Sequence, residues 1–395
     1  MNKDKKLLLP CIVIAAVIIA ALLLGTLIVT ERGTAGENVS WTLTAGGRLR
    51  AGGAGGIDDF SFAKNNAAVF YHKSVVTASL EEGVTRIGDE AFYDCYNMRS
   101  LSIPDSVTSI GGRAFHGCDK LGTIRLSEDA AFTFENGGLY TKDGKTLLFV
   151  SPKKSGKAFI VKDGVESIAE EAFYGCAKLK TLTLPDSLKQ IGAGAFHGCS
   201  NLSEILPGAG FVFEDGALYN AEKTSLIVLL PQAGKTAFVV PEGVTSIAPE
   251  ALYGCKALTE LSLPDTLISI GDGAFCGCTN LETITLGGNS AFAFENGALY
   301  NADKTALLVY LPKTAAEAFA APESVTAIAP KAFYGCKAIE EMTLPAVNEI
   351  GAFAFTNCSS LTSLAFGGSE DGWRALLDGA YTGLVENKVA VTFGN

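Results

Sequence analysis

A mainly β solenoid is the fold this chain predicts, and three observations predict it. A phrase built as Ile/Val-Gly/Ala, two residues, Ala-Phe, two residues, Cys occurs eight times, ending at Cys95, Cys118, Cys176, Cys199, Cys255, Cys278, Cys336 and Cys358. Those cysteines stand 23, 58, 23, 56, 23, 58 and 22 residues apart, so a coil of about 23 residues is nested in a super-repeat of about 80. Each long step also carries one similar extra segment. A period of roughly 20 to 29 residues marks a leucine-rich solenoid, so the expected architecture is a leucine-rich repeat solenoid of eight coils with three β-hairpin inserts. One transmembrane helix is expected to precede it.

That helix is read from residues 7–29, an uncharged apolar run after Lys3, Lys5 and Lys6. At 1.5 Å per residue it would extend roughly 34 Å, enough to cross the hydrocarbon core. Basic residues before the run and Glu31 and Glu37 after it put residues 1–6 in the cytoplasm and the repeats outside, as a single-pass cell-membrane protein. The alternative is secretion after signal cleavage, but a signal h-region is shorter than this run. Residues 30–38 then read as a linker and 39–78 as an N-terminal capping region, with a hairpin from Ser40-Trp41-Thr42-Leu43 to Arg48-Leu49-Arg50-Ala51.

The solenoid itself is expected over 79–364. In the coil from Ser100 to Gly122, Leu101 and Ile103 alternate with Ser100 and Ser102, the period of a half-buried strand. Pro104-Asp105-Ser106 turns the chain, and Val107 to Ile110 forms a second strand. Ala114, Phe115, Cys118 and Leu121 then lie on one face of a short helix or 3₁₀ turn. Read down the chain, the phenylalanines form a core column: Phe92, Phe115, Phe173, Phe196, Phe275, Phe333 and Phe355, with Leu252 in the fifth coil. The ladder cysteines are expected to be buried reduced thiols, because parallel side chains do not present disulfide geometry, with bridging between some of them as the alternative.

Inserts at about 123–157, 204–236 and 283–317 each carry an Asn/Asp-Gly turn, at Asn136-Gly137, Asp215-Gly216 and Asn296-Gly297, between strand-like runs. Their last strands are apolar on both faces and are expected to join the solenoid sheet. Residues 365–395 read as a C-terminal cap, helical over Asp371 to Leu377 and closing with a strand over Val389 to Phe393, because an open sheet end invites aggregation.

The phrases LSIPDSVTSIGGRAFHGC, TLTLPDSLKQIGAGAFHGC and LSLPDTLISIGDGAFCGC resemble the BspA-like (Treponema-type) leucine-rich repeats of bacterial and protist surface proteins, over roughly Ser79 to Leu364. The resemblance implies a β-rich cell-surface solenoid that binds proteins or mediates adhesion to host or matrix proteins and cells. It brings no catalytic residues with it.

The net charge of −11 excludes the basic footprint that nucleic acid requires. Seven of eight coils carry a carboxylate in the first turn, Glu82, Asp105, Asp163, Asp186, Glu242, Asp265 and Glu323, a stripe able to attract calcium or a basic partner. Equally, Pro-Asp and Pro-Glu are good turn formers. Tyr93, Tyr174, Tyr253 and Tyr334 form an aromatic column suited to anchoring a partner or to packing half-buried. His116, His197 and Cys276 occupy the same column, two residues before a ladder cysteine and expected to point outward, so no metal site and no cofactor are expected. The strand face offers Ser100, Ser102, Thr181, Thr183, Glu260, Ser262, Glu341 and Thr343 as a hydroxyl-rich surface. No nucleophile elbow, zinc-protease or P-loop pattern occurs, so an enzyme is not expected. The expected partner is an extracellular or host surface protein.

Overall fold

The structure, a computed structural model, describes residues 28–61, 68–71, 73–313, 316–378, 381–384 and 389–394. The expected membrane-spanning helix is corrected. Among the described residues no helix is long and apolar enough to cross a membrane. Most of the 7–29 run lies outside the described residues, and its last residue, Val29, opens a strand. Residues 30–38, read as a linker, are largely that same strand, Val29–Gly36, which pairs antiparallel with Val39–Thr44. A strand that alternates Thr, Arg and Gly has no apolar face of its own, so sequence periodicity could not reveal it.

The chain falls into two compact units. One holds residues up to Phe60, Ala68–Lys142 and Ser151–Lys154; the other holds Ser61, Asp143–Val150 and everything from Ser155 onward.

Each coil contributes a first strand to a parallel, in-register column. Thr77 pairs with Ser100 and Ser100 with Thr123 in the first unit. In the second, Ala158 pairs with Thr181 and Thr181 with Glu204, and Ala237 with Glu260 and Glu260 with Thr283. A two-residue strand follows, as where Ser167 pairs with Gln190 and Ser246 with Ser269. Alternation buries Leu182, Leu261 and Ile168 while their neighbours are more exposed, and Leu101 is buried beside a likewise buried Ser100.

The third side is a run of tight turns. Tyr93 N–H donates to Glu90 O at 3.0 Å and Cys95 N–H to Phe92 O at 3.1 Å, both reaching back three residues. A helix cannot extend here because the residue before Ala-Phe has positive φ in every coil, from Glu90 at 52° to Phe353 at 59°. Other backbone N–H groups of these turns bond the next coil, as Phe92 to Ala114 O at 2.9 Å and Phe173 to Ala195 O at 2.9 Å.

The phenylalanine column is the core. Phe92, Phe173, Phe333 and Phe355 are fully buried, as is Leu252 in its place. Phe92 and Phe115 stack at 6.0 Å and Phe333 and Phe355 at 5.4 Å. Phe70 extends the stack below Phe92 at 5.2 Å, marking an additional turn that lacks the cysteine phrase.

The inserts are hairpins followed by a coil-forming strand. Phe211–Glu214 pairs antiparallel with Ala217–Asn220, and Phe292–Glu295 with Ala298–Asn301. Both turn residues have positive φ, 54° and 81° at Asp215-Gly216 and 49° and 77° at Asn296-Gly297, as a type I′ turn demands. The third strands then run parallel to the next coil, Leu226 opposite Ile247 and Leu307 opposite Ile328. Each insert is therefore a turn of the solenoid. With one more turn at each end the chain makes about 13 turns, which corrects the expected eight. At the C-terminal end the helix Glu370–Leu377, capped by Ser369, lays buried Trp373 against Phe366 at 4.9 Å.

Candidate functional site

The acidic turn residues are all exposed, but several have a structural task. Asp186 Oδ1 accepts from Ala209 N–H at 3.0 Å and Asp265 Oδ1 from Gly288 N–H at 2.8 Å, while Ser127 Oγ donates to Asp105. In coils two, four and six the carboxylate therefore fastens the chain where it leaves for the insert. Glu82 accepts from Asp105 N–H at 3.3 Å. In coils three and five the next coil's hydroxyl does the tying: Ser187 Oγ accepts from Gly164 N–H at 3.1 Å and donates to Val165 O at 2.8 Å, and Thr266 repeats this with Gly243 and Val244. Asp163 and Glu242 stand on those glycine turns with their side chains exposed, and Glu323 is exposed beside Ser324, whose Oγ donates to Lys304 O at 2.9 Å.

On the strand face Ser100 is buried and Ser102, Thr181, Thr183 and Ser262 are half-buried, while Glu260, Glu341 and Thr343 are exposed. The register places Thr181 beside Glu204, where its Oγ1 donates to Glu204 Oε2 at 3.3 Å.

All eight ladder cysteines and Cys276 are buried and form no disulfide. Each ladder thiol points to the carbonyl of the core column one turn back, Cys118 to Phe92 O at 3.3 Å, Cys199 to Phe173 O at 3.2 Å and Cys278 to Leu252 O at 3.1 Å. After an insert the acceptor is Val150, Leu229 or Tyr310, the residue that fills the phenylalanine place. Burial pushes the thiols of Cys95, Cys255, Cys276 and Cys358 up to about 12. They are inert packing groups with a weak donor.

The tyrosine column is half-buried in all four positions, and it alternates with histidine inside the wall. Tyr93 stacks on His116 at 4.2 Å, and His116 is buried; His197 lies 5.0 Å from Tyr174 and 3.6 Å from Tyr253, ring to ring. The expected outward direction of the histidines is thus corrected, because the left-handed residue three positions earlier rotates this position toward the neighbouring coil.

That left-handed column holds the charge that the sequence reading missed. In the first unit Glu90 pairs with Arg113 at 3.1 Å, and the Arg113 guanidinium sits 5.7 Å over Tyr93. In the second unit the column runs Glu171, Gly194, Glu250, Gly273, Lys331. Glu171 is buried, and the Glu250 side chain is 10% exposed. Lys331 Nζ donates to Glu250 Oε1 across a sequence separation of 81 residues. His197 Nδ1 faces Glu250 Oε2 at 3.3 Å. Burial alone would raise the Glu250 carboxyl, but His197 and the Lys331 ammonium outweigh it and hold it down at about 2. The glycines make this possible, since a Cβ at Gly194 would come within 2.5 Å of Glu250 Oε2. Alternation of charged residue with glycine every second coil is the signal that could have been read in the sequence.

Beside this row is a cavity of about 280 Å³ between coils four and five, with walls that include Ile191, Phe196, Ile227, Val228 and Ala248 and a polar end at His197, Glu250 and Tyr253. It exists because the second-strand column breaks there: one sheet ends at Gln190–Ile191 and the next begins with the hairpin strand Phe211–Glu214.

Parallel in-register coils, a stacked aromatic core and a cysteine ladder define a leucine-rich repeat β-solenoid. The chain belongs to the BspA-type leucine-rich repeat family: the model described as BspA type leucine rich repeat region (6 copies) matches residues 64–140, 149–233, 232–310 and 310–371. No curated protein matches the chain. Among solved structures it is similar to a leucine-rich cell surface protein of Faecalibacterium prausnitzii, at 22% identity over 88% of this chain and 98% of that one, TM-score 0.43. It is also similar to a leucine-rich repeat protein of Eubacterium ventriosum (20%, covering 85% and 86%, TM-score 0.39). The pneumococcal vaccine antigen PcpA matches at 15% identity over 93% of this chain and 100% of that one, TM-score 0.37. Leucine-rich repeat solenoid families are generally binding or scaffold proteins and not enzymes.

Proposed function

We propose that this protein acts outside the cell as a non-catalytic binding protein, recognising a surface protein through repeated contacts along the solenoid. The observation that carries the reading is the solvent-facing carboxylate row, Asp163, Asp186, Glu242, Asp265 and Glu323, set at one position per coil on turns that backbone hydrogen bonds hold in place. Rigid, regularly spaced charges lose little entropy on binding and add avidity when a partner presents complementary charge. Family membership supports protein binding and adhesion in general; the partner's basic character is argued from the charge row alone.

The test is saturable binding of the full chain to a panel of extracellular host and matrix proteins and to whole cells. Lysine in place of Asp163, Glu242 and Glu323 is expected to weaken binding at least tenfold and to flatten its salt dependence. Binding that survives the reversal moves the interface to the strand face of Thr183, Glu260 and Glu341. No saturable binding at all favours a surface spacer without a specific ligand.

A further inference from the structure

The interior row of the second unit points to a ligand of its own: we infer that Glu171, His197 and Glu250 form a binding site for a divalent transition metal ion, zinc above all. The inference is independent of the outer surface and of any protein partner.

Coils three, four and five supply one donor each, and the donor atoms all lie within 4.8 Å of one another. The 3.3 Å between His197 Nδ1 and Glu250 Oε2 matches the edge of a tetrahedron with metal bonds of about 2.0 to 2.1 Å, which is roughly 3.3 to 3.4 Å. Glu250 Oε2 is buried and faces His197 Nδ1 without the geometry of a hydrogen bond, so both atoms remain available to a shared cation. Lys331 holds the other oxygen of the same carboxylate, the role of an outer-shell partner that aims a ligand.

Gly194 is the opening through which the donors converge. A Cβ there would lie 2.5 Å from Glu250 Oε2 and 3.5 Å from Glu171 Cγ, so the missing side chain is the space the two carboxylates share. One imidazole with two carboxylates suits zinc better than calcium or magnesium, which prefer all-oxygen shells. The cavity of about 280 Å³ reaches two of the three donors, His197 and Glu250, and has room for the water that completes a three-ligand site.

The experiment is calorimetric titration of chelator-treated full chain with zinc, followed by cobalt(II) as a spectroscopic probe. One equivalent of zinc is expected to bind, with a melting temperature that rises with zinc concentration. His197→Ala and Glu171→Gln are expected to weaken binding at least 100-fold, and Lys331→Met by roughly 10- to 100-fold. Metal-free melting curves of each variant establish that it folds; if His197→Ala does not, Glu171→Gln decides. The cobalt spectrum is expected to show visible bands of a nitrogen and oxygen site without sulfur charge transfer. A thiolate-to-cobalt band, unchanged affinity in a folded Glu171→Gln variant, or no binding at micromolar zinc would overturn the site.

Discussion

The junctions after coils four and six are built from the same sequence frame and end differently. Val228, Pro231, Ala248 and Tyr253 of the first correspond to Val309, Pro312, Ala329 and Tyr334 of the second, yet the first encloses about 280 Å³ and the second about 40 Å³. Three substitutions in the frame account for it. Tyr310 stands where the first junction has Leu229, and its ring lines the smaller cavity. Lys331 replaces Glu250, and its aliphatic stem lies over Gly273, where a Cβ would meet Cδ at 2.8 Å. Cys276 replaces His197 and crowds the same glycine at 3.4 Å. The repeat fixes the backbone, and two or three columns of side chains decide whether a junction is filled or open.

The largest expected effect is on the thiols, which separate the junctions because only the second has Cys276 beside its ladder cysteine. A group whose folded pKa is raised contributes stability below its unfolded value and loses it as pH climbs toward the folded value. With the buried thiols raised from 9.0 toward 12, stability should fall by several kcal/mol between pH 9 and 12 and be unaffected by the thiols below pH 8. Alkaline unfolding followed by circular dichroism checks it, and Cys276→Ala should move the midpoint upward. A thiol titration at pH 8 should find no reactive ladder cysteine before unfolding.

Next come the core rings at the two junctions. Phe275→Ala should cost about 4 kcal/mol and Phe196→Ala about 3 kcal/mol, since one side of Phe196 already faces the cavity. Urea midpoints measure the difference, and the reverse order would mean that the cavity is filled in solution. Removing the ammonium with Lys331→Met should cost about 2 kcal/mol by leaving Glu250 with a buried, uncompensated oxygen. Adding Glu250→Gln to it should recover most of that loss in a double-mutant cycle. A failure to recover would place the cost in packing by the lysine stem.

Overpacking gives a smaller effect of opposite sign at the two sites. Ala329→Leu should destabilise by about 1 to 2 kcal/mol, whereas Ala248→Leu has space to enter and should be neutral or stabilising by up to about 1 kcal/mol in thermal melts. Smallest of all, Asp186→Ala and Asp265→Ala should each cost about 1 kcal/mol by releasing an insert's first turn, while Glu242→Ala stays within about 0.5 kcal/mol. Equal costs would remove the distinction between fastening and free carboxylates.

The coil step, the phenylalanine column and the inward thiols were legible because they recur at a fixed spacing and each is apolar. The Asn/Asp-Gly turns gave away the hairpins for the same local reason. The turn around Phe70 was hidden because it lacks the cysteine phrase, and Val29–Gly36 because it has no alternating pattern. The Glu250–Lys331 pair was hidden by distance: 81 residues separate partners that the stacking brings together, with Gly273 leaving the way open. Reading His197 by its offset from Cys199 alone pointed it outward, since a single coil does not reveal which neighbour the left-handed turn faces.

What the sequence determined by itself is therefore the repeating unit: strand, turn, strand, a tight helical or 3₁₀ turn, thiol. Each depends on contacts within about 23 residues or on an identical residue one coil away, so local chemistry is enough to specify it. Only the tertiary structure decided which non-identical residues meet. Glu171, His197, Glu250 and Lys331 acquire their burial and their proximity from stacking alone, because a column joins side chains whose spacing in sequence is set by the inserts between them.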